Sequence, residues 1–461
     1  MAQNEVVPIG ASVTENKKIT ILTISDHPMS PSGVGTQTRY VFHELLKTGK
    51  YRVISLGGAI KHQDYRPQKT QEFGDDWLMI PVDGYGNQEI IRSVIRNYRP
   101  DILWFMTDPR FYTWLWQIEN EIRPLIPMVY YHVWDNFPEP KFNKPLYDSN
   151  DAIVTISKLT SDLVQKVSPD VEEVYIPHAV DMNCFRKVED QVVRNFKQQN
   201  FPHLVDKDCK MFLWNNRNAR RKQSGTLIWW FKEFLDKVGH DKACLLMHTD
   251  PKDQHGQELN TIVKDLGLSG TKSIMISQEK VPPGALSLMY NVADCTINIS
   301  DAEGFGLGTL ESLACETPII VNMTGGLQEQ VTPIDKVSHK LMLERNKEKA
   351  GVTQYEHGFG IEPISKAVIG SQTVPYIYED RIAKHHFIEA CERMLNLTDE
   401  ERAEMGKRGR EHLLKNYNFE NFAKSWDEIM TKIHEEHGSW DTRKKYKRWE
   451  LIGIDNEESS S

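Results

Sequence analysis

Short runs of aliphatic and β-branched residues alternate with helical patterns along most of this chain. Runs of this length and composition are typical of buried strands, and several end in turns that hold glycine or polar residues. The runs lie at 19–25, 52–57, 77–80, 102–106, 128–131, 152–155, 211–214, 243–247, 273–276 and 295–299. Because strands that alternate with helices form parallel sheets covered on both faces, we expect ligands at the carboxyl ends of the strands.

The chain has 461 residues, which is longer than a domain with a single hydrophobic core normally is. It therefore predicts more than one domain. The polar stretch 186–207 is interpreted as a linker, and residues 335–380 show no pattern that we can assign. The predicted units are a first domain at 17–190, a second domain at 205–400, helices at 401–435 and a polar tail at 436–461.

The composition is that of a globular protein, with 39% hydrophobic and 26% charged residues. No apolar run approaches the length of a membrane span, and no secretory signal is visible at the start. Six scattered cysteines without a CxxC pair indicate reduced thiols, so we expect a cytoplasmic protein. A net charge of −9 gives no strong nucleic-acid signal. The basic run 443–448 fits either a solvated tail or contact with an anionic partner.

The most informative stretch, 300–314, follows the apolar run 295–299. Gly304 and Gly306 allow the backbone to approach a ligand closely or to take positive φ. From Leu307 onward the apolar residues recur at helical spacing, so the first N–H groups of a helix are left without partners there. The pattern predicts an anion site, although an exposed turn before a solvated helix fits it as well.

Two carboxylates frame this turn, Glu303 before it and Glu311 within the helix. Carboxylates repel a lone phosphate, but they accept hydrogen bonds from hydroxyl groups. A nucleotide sugar carries hydroxyls on both sides of its diphosphate. We therefore expect Glu303 to hold the sugar and Glu311 the ribose.

The full string Ser-x-x-Glu-Gly-Phe-Gly-Leu-x-x-Leu-Glu is followed by Thr317-Pro318-Ile319-Ile320-Val321 and by Gly325-Gly326. It resembles the E-x7-E motif of retaining GT-B glycosyltransferases, family 4 or group 1, which include sucrose-phosphate synthases. The resemblance implies two Rossmann-like α/β domains that face each other across a cleft. It also implies transfer of a sugar, with retention, from a nucleotide-diphosphate sugar to an acceptor hydroxyl. In that family the last helix crosses back onto the first domain.

Four basic residues lie within the six positions 217–222, after one strand and before a helix. They are either an ordinary helix entry or cations for a diphosphate. Arg217 and Lys222 match the spacing of the family's diphosphate-binding pair. The first glycine loop also resembles the family's donor-facing loop. The implied donor-binding residues are Gly33, Val34, Gly35, Arg217, Lys222, Glu303, Gly304, Phe305, Gly306, Leu307 and Glu311.

A histidine, an indole and a carboxylate follow the strand at 128–131, namely His132, Trp134 and Asp135. Such groups suit sugar recognition, with hydrogen bonds at the hydroxyl edge and stacking on the apolar face. Family members carry a histidine near the transferred sugar, which implies a catalytic or acceptor-side role for His132. A packed core histidine is an equally good interpretation.

Breaking the bond to the diphosphate places negative charge on the leaving group. The only D-x-D string, Asp206-Lys207-Asp208, precedes a strand instead of following one, so no metal and no other cofactor is expected. Arg217, Lys222 and the amides at 304–307 would then neutralise the charge. The predicted catalytic residues are Glu303, His132, Arg217 and Lys222.

Other functions fit parts of the pattern. A nucleotide-sugar epimerase of the same fold would need no acceptor. A non-catalytic sugar-nucleotide scaffold would use the tail at 443–448 to bind a partner. A dehydrogenase is less well supported, because Thr38 replaces the third glycine of a dinucleotide fingerprint. For a transferase, UDP- or GDP-linked donors are expected, and the acceptor is not identified by the sequence.

Overall fold

The computed structural model describes residues 17–205, 207–333 and 351–446. Two large sheets organise these residues, an eight-stranded sheet in the N-terminal lobe and a seven-stranded sheet in the C-terminal lobe. Both sheets are mainly parallel and have helices between successive strands. The prediction of an α/β protein with two Rossmann-like domains is therefore confirmed.

The N-terminal lobe opens with a strand whose neighbouring residues face opposite sides of the sheet. Its elements are β1 (Ile19–Asp26), α1 (Gly33–Lys47), β2 (Tyr51–Gly58), β3 (Gln68–Thr70), β4 (Gly74–Pro81), α2 (Gln88–Tyr98), β5 (Ile102–Thr107), α3 (Thr113–Trp116), α4 (Glu119–Ile122), β6 (Met128–His132), α5 (Lys144–Asp148), β7 (Ala152–Thr155), α6 (Lys158–Val167) and β8 (Glu172–Tyr175). The strand order is β3-β4-β2-β1-β5-β6-β7-β8, and only β3 runs antiparallel to its neighbour. Ile21 of β1 lies opposite Val53 of β2 and Ile102 of β5.

The C-terminal lobe repeats the alternation of strand and helix and adds two hairpins. Its elements are α7 (Asp190–Asn200), β9 (Lys210–Asn215), α8 (Ser224–Val238), β10 (Ala243–His248), α9 (Leu259–Asp265), β11 (Ile274–Ser277), α10 (Pro283–Val292), β12 (Cys295–Asn298), α11 (Leu307–Ala314), β13 (Ile319–Asn322), α12 (Leu327–Val331), β14 (Gly351–Tyr355), β15 (Gly358–Glu362), β16 (Ser365–Ile369), β17 (Ile377–Arg381), α13 (Lys384–Leu395), α14 (Asp399–Asn416) and α15 (Phe419–His437). The strand order is β11-β10-β9-β12-β13-β15-β14, with β14 antiparallel to β15, and β16 and β17 form a separate antiparallel pair.

The last helix, α15, packs on the N-terminal lobe, although the chain reaches it from the C-terminal lobe. Trp426 is fully buried, with its ring centroid 6.0 Å from that of Trp104 and 4.8 Å from that of Tyr131. The Tyr51 hydroxyl donates to Asp427 Oδ1 at 2.7 Å. The lobes are thus joined twice, once by the chain that leads into α7 and once by the chain that leads into α15.

The structure adds regular elements to two stretches, the proposed linker and the stretch that the sequence left without an assigned pattern. The proposed linker 186–207 contains helix α7, whose half-buried Val193 and Phe196 pack against the main core. Of the unassigned stretch 335–380, the described part from 351 onward holds strands β14 to β17, while residues 335–350 lie outside the described residues. The signals were weak because α7 has few apolar residues and because β16 is largely exposed.

The basic run 443–448 begins as a docked segment. Arg443 is almost fully buried, with Nη2 2.6 Å from Asp151 Oδ1 and Nε donating to the carbonyl of Arg123 at 2.7 Å. Residues 447 and 448 lie outside the described residues.

None of the helices in the described ranges combines the length and apolar character needed to cross a membrane.

Candidate functional site

The turn between β12 and α11 points across the cleft toward the N-terminal lobe. Gly306 has φ of +91°, in the left-handed region that favours glycine, and α11 begins directly after it at Leu307. A Cβ atom on Gly304 would lie 2.8 Å from the carbonyl oxygen of Trp134 in the opposite lobe. Only glycine lets the two lobes approach so closely here.

The glycine loop of the N-terminal lobe faces the same turn. A Cβ atom on Gly33 would lie 3.0 Å from Cδ1 of Leu307. Helix α1 begins at Gly33, and Ser32 caps it by accepting a hydrogen bond from the Gly35 N–H at 3.0 Å. Val34 is half-buried at this end of α1. The structure thus brings together the two glycine-bearing turns that the sequence singles out.

Lys222 and Glu303 form a buried ion pair beside the turn. Lys222 follows β9 in a short 3-10 turn, Glu303 follows β12, and the Nζ atom donates directly to the carboxylate. Burial lowers the pKa of Lys222 well below its usual range, and the neighbouring Arg221 lowers it further, while Asp135 opposes the shift. Whether the Lys222 amine is protonated therefore depends on the negative charges that lie next to it.

Arg217, the other predicted diphosphate ligand, bonds elsewhere. Its Nε lies 2.6 Å from Asp253 Oδ2, its Nη2 lies 2.7 Å from His255 Nδ1, and its side chain is 61% exposed. Arg217 strongly lowers the pKa of Asp253. The contacts of Arg217 in the described structure do not include groups of the turn, so its role stays a prediction.

Arg221 is the second cation at the turn, and sequence reasoning missed it. Its Nε lies 3.0 Å from Asp135 Oδ2, and Asp135 Oδ1 accepts from the Gly304 N–H at 3.1 Å. The signal was present, since Arg221 belongs to the same basic run as Lys222. The family spacing matches Arg217 and Lys222 and does not include Arg221.

Glu311 is held by Tyr290, which is itself held by Asn215, and the sequence did not single out either residue. The Tyr290 hydroxyl donates to Glu311 Oε2 at 2.8 Å and accepts from Asn215 Nδ2 at 2.7 Å. Burial raises the pKa of Glu311 to about 7, although the bond from Tyr290 acts in the opposite direction. Glu311 is thus a fixed hydrogen-bond acceptor that is only partly ionised near neutral pH.

His132 is enclosed in the N-terminal lobe. Its Nε2 lies 2.6 Å from the Tyr147 hydroxyl and its Nδ1 lies 3.1 Å from the Tyr130 hydroxyl. Burial lowers the pKa of His132 to about 3, so the ring is neutral. These contacts match the core-histidine interpretation, and a catalytic or acceptor-side role for His132 remains a prediction that the geometry does not support.

Trp134 and Asp135 have different surroundings although they are adjacent. The Trp134 indole is buried in a small cluster with Phe137, Leu159 and Leu163, so it offers no exposed stacking surface. Asp135 reaches the other lobe through Gly304 and Arg221. Of the three groups predicted after β6, the structure brings Asp135 alone to the turn.

Behind the turn, acidic and basic side chains form a network around β17. Arg381 lies 2.8 Å from Asp301 and 2.7 Å from Glu379, and Glu379 also pairs with Arg220. Burial raises the pKa of Asp301 to about 7, even though Gln223 and Arg381 lower it. Through the pair of Asp301 and Arg381, the network ties the loop that precedes the turn to β17.

The residues considered for metal binding lie away from this turn. Asp206 lies outside the described residues, and the carboxylate of Asp208 is 79% exposed and 3.3 Å from Lys210. In the described ranges, one group of three possible ligands comes together, formed by Glu172, Glu436 and His437. That group belongs to β8 and α15, not to the cleft.

Comparison with known proteins finds a matching family model and curated relatives that match part of the chain. The family model for glycosyl transferases group 1 matches residues 196–350. An α-monoglucosyldiacylglycerol synthase of Streptococcus pneumoniae is 27% identical over 177 residues, which cover 37% of this chain and 37% of the relative. A D-inositol 3-phosphate glycosyltransferase of Frankia alni is 28% identical over 184 residues, or 39% of this chain and 42% of the relative. The matches thus span well under half of these relatives.

Solved structures resemble the chain over both lobes. The sucrose-phosphate synthase of Thermosynechococcus elongatus matches 91% of this chain and 100% of its own, with a TM-score of 0.68 and 18% identity. Anabaena Alr3699/HepE in complex with UDP and glucose matches 90% of this chain and 100% of its own, with a TM-score of 0.62 and 12% identity. These matches confirm the GT-B fold. The match of residues 196–350 to the family model confirms the resemblance to the group 1 glycosyltransferases.

Proposed function

We propose that this protein is a glycosyltransferase that moves a sugar from a nucleotide-diphosphate sugar to an acceptor hydroxyl. The observation that carries the proposal is the meeting of Lys222 and Glu303, 81 positions apart in the sequence, beside a glycine turn that faces the opposite lobe. The family match over residues 196–350 supports it. The names of the curated relatives support a transferase of sugars as well.

The proposed reaction breaks the bond between the anomeric carbon and the diphosphate, and the leaving group takes the electron pair. The oxygen of the acceptor hydroxyl forms the new bond to that carbon, and its proton passes to the departing diphosphate. In this proposal, Lys222 and the N–H groups at the start of α11 stabilise the departing charge. An incoming diphosphate also raises the pKa of Lys222, because a nearby negative charge favours its protonated form.

Glu303 and Glu311 have separate roles in this proposal. Glu303 accepts hydrogen bonds from the transferred sugar, and Glu311 accepts them from the ribose. Tyr290 fixes the orientation of Glu311. We propose UDP as the first nucleotide to test, since a protein of the same fold has been solved with UDP and glucose, and GDP as the second.

The proposal includes retention of configuration and transfer without a divalent metal, both drawn from the family resemblance. It also includes the cytoplasm as the site of activity. In support, Cys184, Cys209, Cys244, Cys295, Cys315 and Cys391 are all free thiols.

The test is transfer of labelled sugar from UDP-glucose, UDP-galactose and GDP-mannose to a panel of hydroxyl acceptors, with and without EDTA. Glu303→Gln should lower turnover roughly a hundredfold while the fold is retained. Glu411→Gln, an exposed carboxylate on α14, is the matched control and should behave as wild type. Glu303→Gln with wild-type turnover would contradict the proposed role.

The same assay separates the alternatives. An epimerase converts the donor sugar when no acceptor is added, which product analysis of the donor detects. A scaffold raises its melting temperature with nucleotide sugars but forms no product. Stimulation by Mg²⁺ and loss of activity in EDTA would contradict the metal-independent part of the proposal.

A further inference from the structure

A carboxylate from the N-terminal lobe is seated on the turn of the C-terminal lobe. Asp135 Oδ1 accepts from the Gly304 N–H at 3.1 Å and lies 3.4 Å from Arg221 Nη2. Asp135 Oδ2 lies 3.0 Å from Arg221 Nε. An amide and a guanidinium that converge on one carboxylate form an anion-binding site, and here the anion belongs to the chain itself.

The segment that carries Asp135 is fixed to the C-terminal lobe on both sides. The Asn136 Nδ2 donates to Asp380 Oδ2 at 2.7 Å, and the Tyr378 N–H donates to the Phe137 carbonyl at 2.7 Å. The Trp134 carbonyl lies against Gly304. The position of the Asp135 carboxylate is therefore set by the segment 134–137 as a whole, which we call the strap.

We propose that Asp135 is an internal competitor of the donor diphosphate, because its carboxylate holds the amide and the guanidinium that a phosphate needs. This inference rests on the proposed function for the identity of the ligand. A phosphate and the Asp135 carboxylate cannot both occupy the Gly304 N–H and Arg221. The donor therefore binds by displacing Asp135, and Asp135 sets the affinity for the donor.

Charge and burial indicate which of the two carboxylates, Glu303 or Asp135, the donor displaces. The two cations beside the turn are each matched by a carboxylate, Lys222 by Glu303 and Arg221 by Asp135. The Glu303 side chain is only 10% exposed, whereas that of Asp135 is 27% exposed and comes from the other lobe. Water reaches Asp135 more readily, so its release costs less than that of Glu303.

The expected effect on affinity is moderate. A partly exposed ion pair is worth little compared with a buried one. When the binding-competent arrangement is only a fraction of the population, the apparent Kd rises by the inverse of that fraction. We expect the competition to weaken binding about five- to tenfold.

The experiment measures the Kd of UDP and of inorganic pyrophosphate for the full chain by calorimetry. Asp135→Asn keeps the size of the side chain and removes its charge, and it should bind both probes about five- to tenfold more tightly. Glu139→Gln is the matched control, because Glu139 lies just beyond the strap and pairs within its own lobe, 3.5 Å from Lys166. It removes the same charge and should change the Kd less than twofold.

The outcomes separate this inference from the proposed function. Equal or weaker binding by Asp135→Asn, or equal tightening by Glu139→Gln, overturns the competition, whether or not wild type transfers sugar. Tighter pyrophosphate binding by Asp135→Asn, without any turnover of nucleotide sugars, supports the competition and counts against the proposed function. Should Asp135→Asn fail to fold by circular dichroism, Asp135→Ser is measured in its place with the same criteria.

Discussion

The two glycine turns that meet across the cleft have similar sequences, but the helices that follow them are capped differently. Each follows a buried strand and opens a helix, α1 in the N-terminal lobe and α11 in the C-terminal lobe. The Ser32 side chain caps α1. Helix α11 begins after Gly306, and among the described residues no side chain caps it.

In the proposed function, this difference favours the start of α11 as the helix end that binds the donor. An N–H group that a serine already satisfies has little to offer a phosphate, whereas no side chain in the described ranges caps the first N–H groups of α11. The two cations described above also lie at the α11 turn and not at the α1 turn. Lys222 and Arg221 both lie at the α11 turn, where Asp135 already occupies the Gly304 N–H.

The largest test of this comparison removes the buried cation. In the proposed reaction Lys222 stabilises the leaving group, so turnover of Lys222→Ala should fall roughly a hundred- to a thousandfold. Arg217→Ala should have a much smaller effect, because Arg217 is exposed and bonded to Asp253. Steady-state rates with a saturating donor measure both variants. If Arg217→Ala lost as much turnover as Lys222→Ala, Arg217 would have to leave Asp253 during the reaction.

A second test compares how strongly the backbone of each turn requires glycine. Gly306→Ala places a Cβ at φ of +91° and 2.6 Å from Leu327 Cδ2, so it should destabilise the fold by at least about 1–2 kcal/mol. Gly33→Ala meets only the flexible end of Leu307 and should cost much less. Urea denaturation measures both. Equal losses would mean that the two turns are equally constrained.

The sequence allowed the strands and the α11 turn to be predicted because their signals are local. The apolar run 295–299, the two glycines and the helical spacing after Leu307 all lie within about one element of each other. Strands at the edge of a sheet give weaker signals, since exposed faces tolerate polar residues. For that reason the sequence pattern does not reveal β14, β16 and β17. The buried strand β15 is hidden for another reason, since two of its five residues are glycines, which are uncommon in strands.

The partners of the site residues could not be predicted in the same way. His132 was placed correctly at the end of a strand, but Tyr147, which bonds its Nε2, lies on a separate helix. Arg217 and Arg221 look alike in the sequence, yet one meets Asp253 and the other meets Asp135. Which cation reaches the cleft is decided by how the lobes pack, and no local pattern carries that information.

The smallest expected effect concerns pH and Glu311. Burial raises the pKa of Glu311 from 4.5 to about 7, so the folded protein binds more protons than the unfolded chain between these values. Stability contributed by protonated Glu311 is therefore complete below about pH 4.5 and is lost as the pH rises toward 7. Asp301 acts in the same direction, since burial raises its pKa to about 7 as well.

Urea denaturation at several pH values between 4.5 and 7.5 measures this contribution. Glu311→Gln cannot ionise, so its stability should fall less steeply with pH than that of wild type, while the part due to Asp301 remains. Glu411→Gln should keep the wild-type slope, because Glu411 is exposed. Asp253, whose pKa is lowered by Arg217, changes protonation below this range and does not disturb the comparison. An unchanged slope in Glu311→Gln would mean that Glu311 is ionised in the folded protein across the whole range, and that α11 carries a charged acceptor at every pH at which the donor binds.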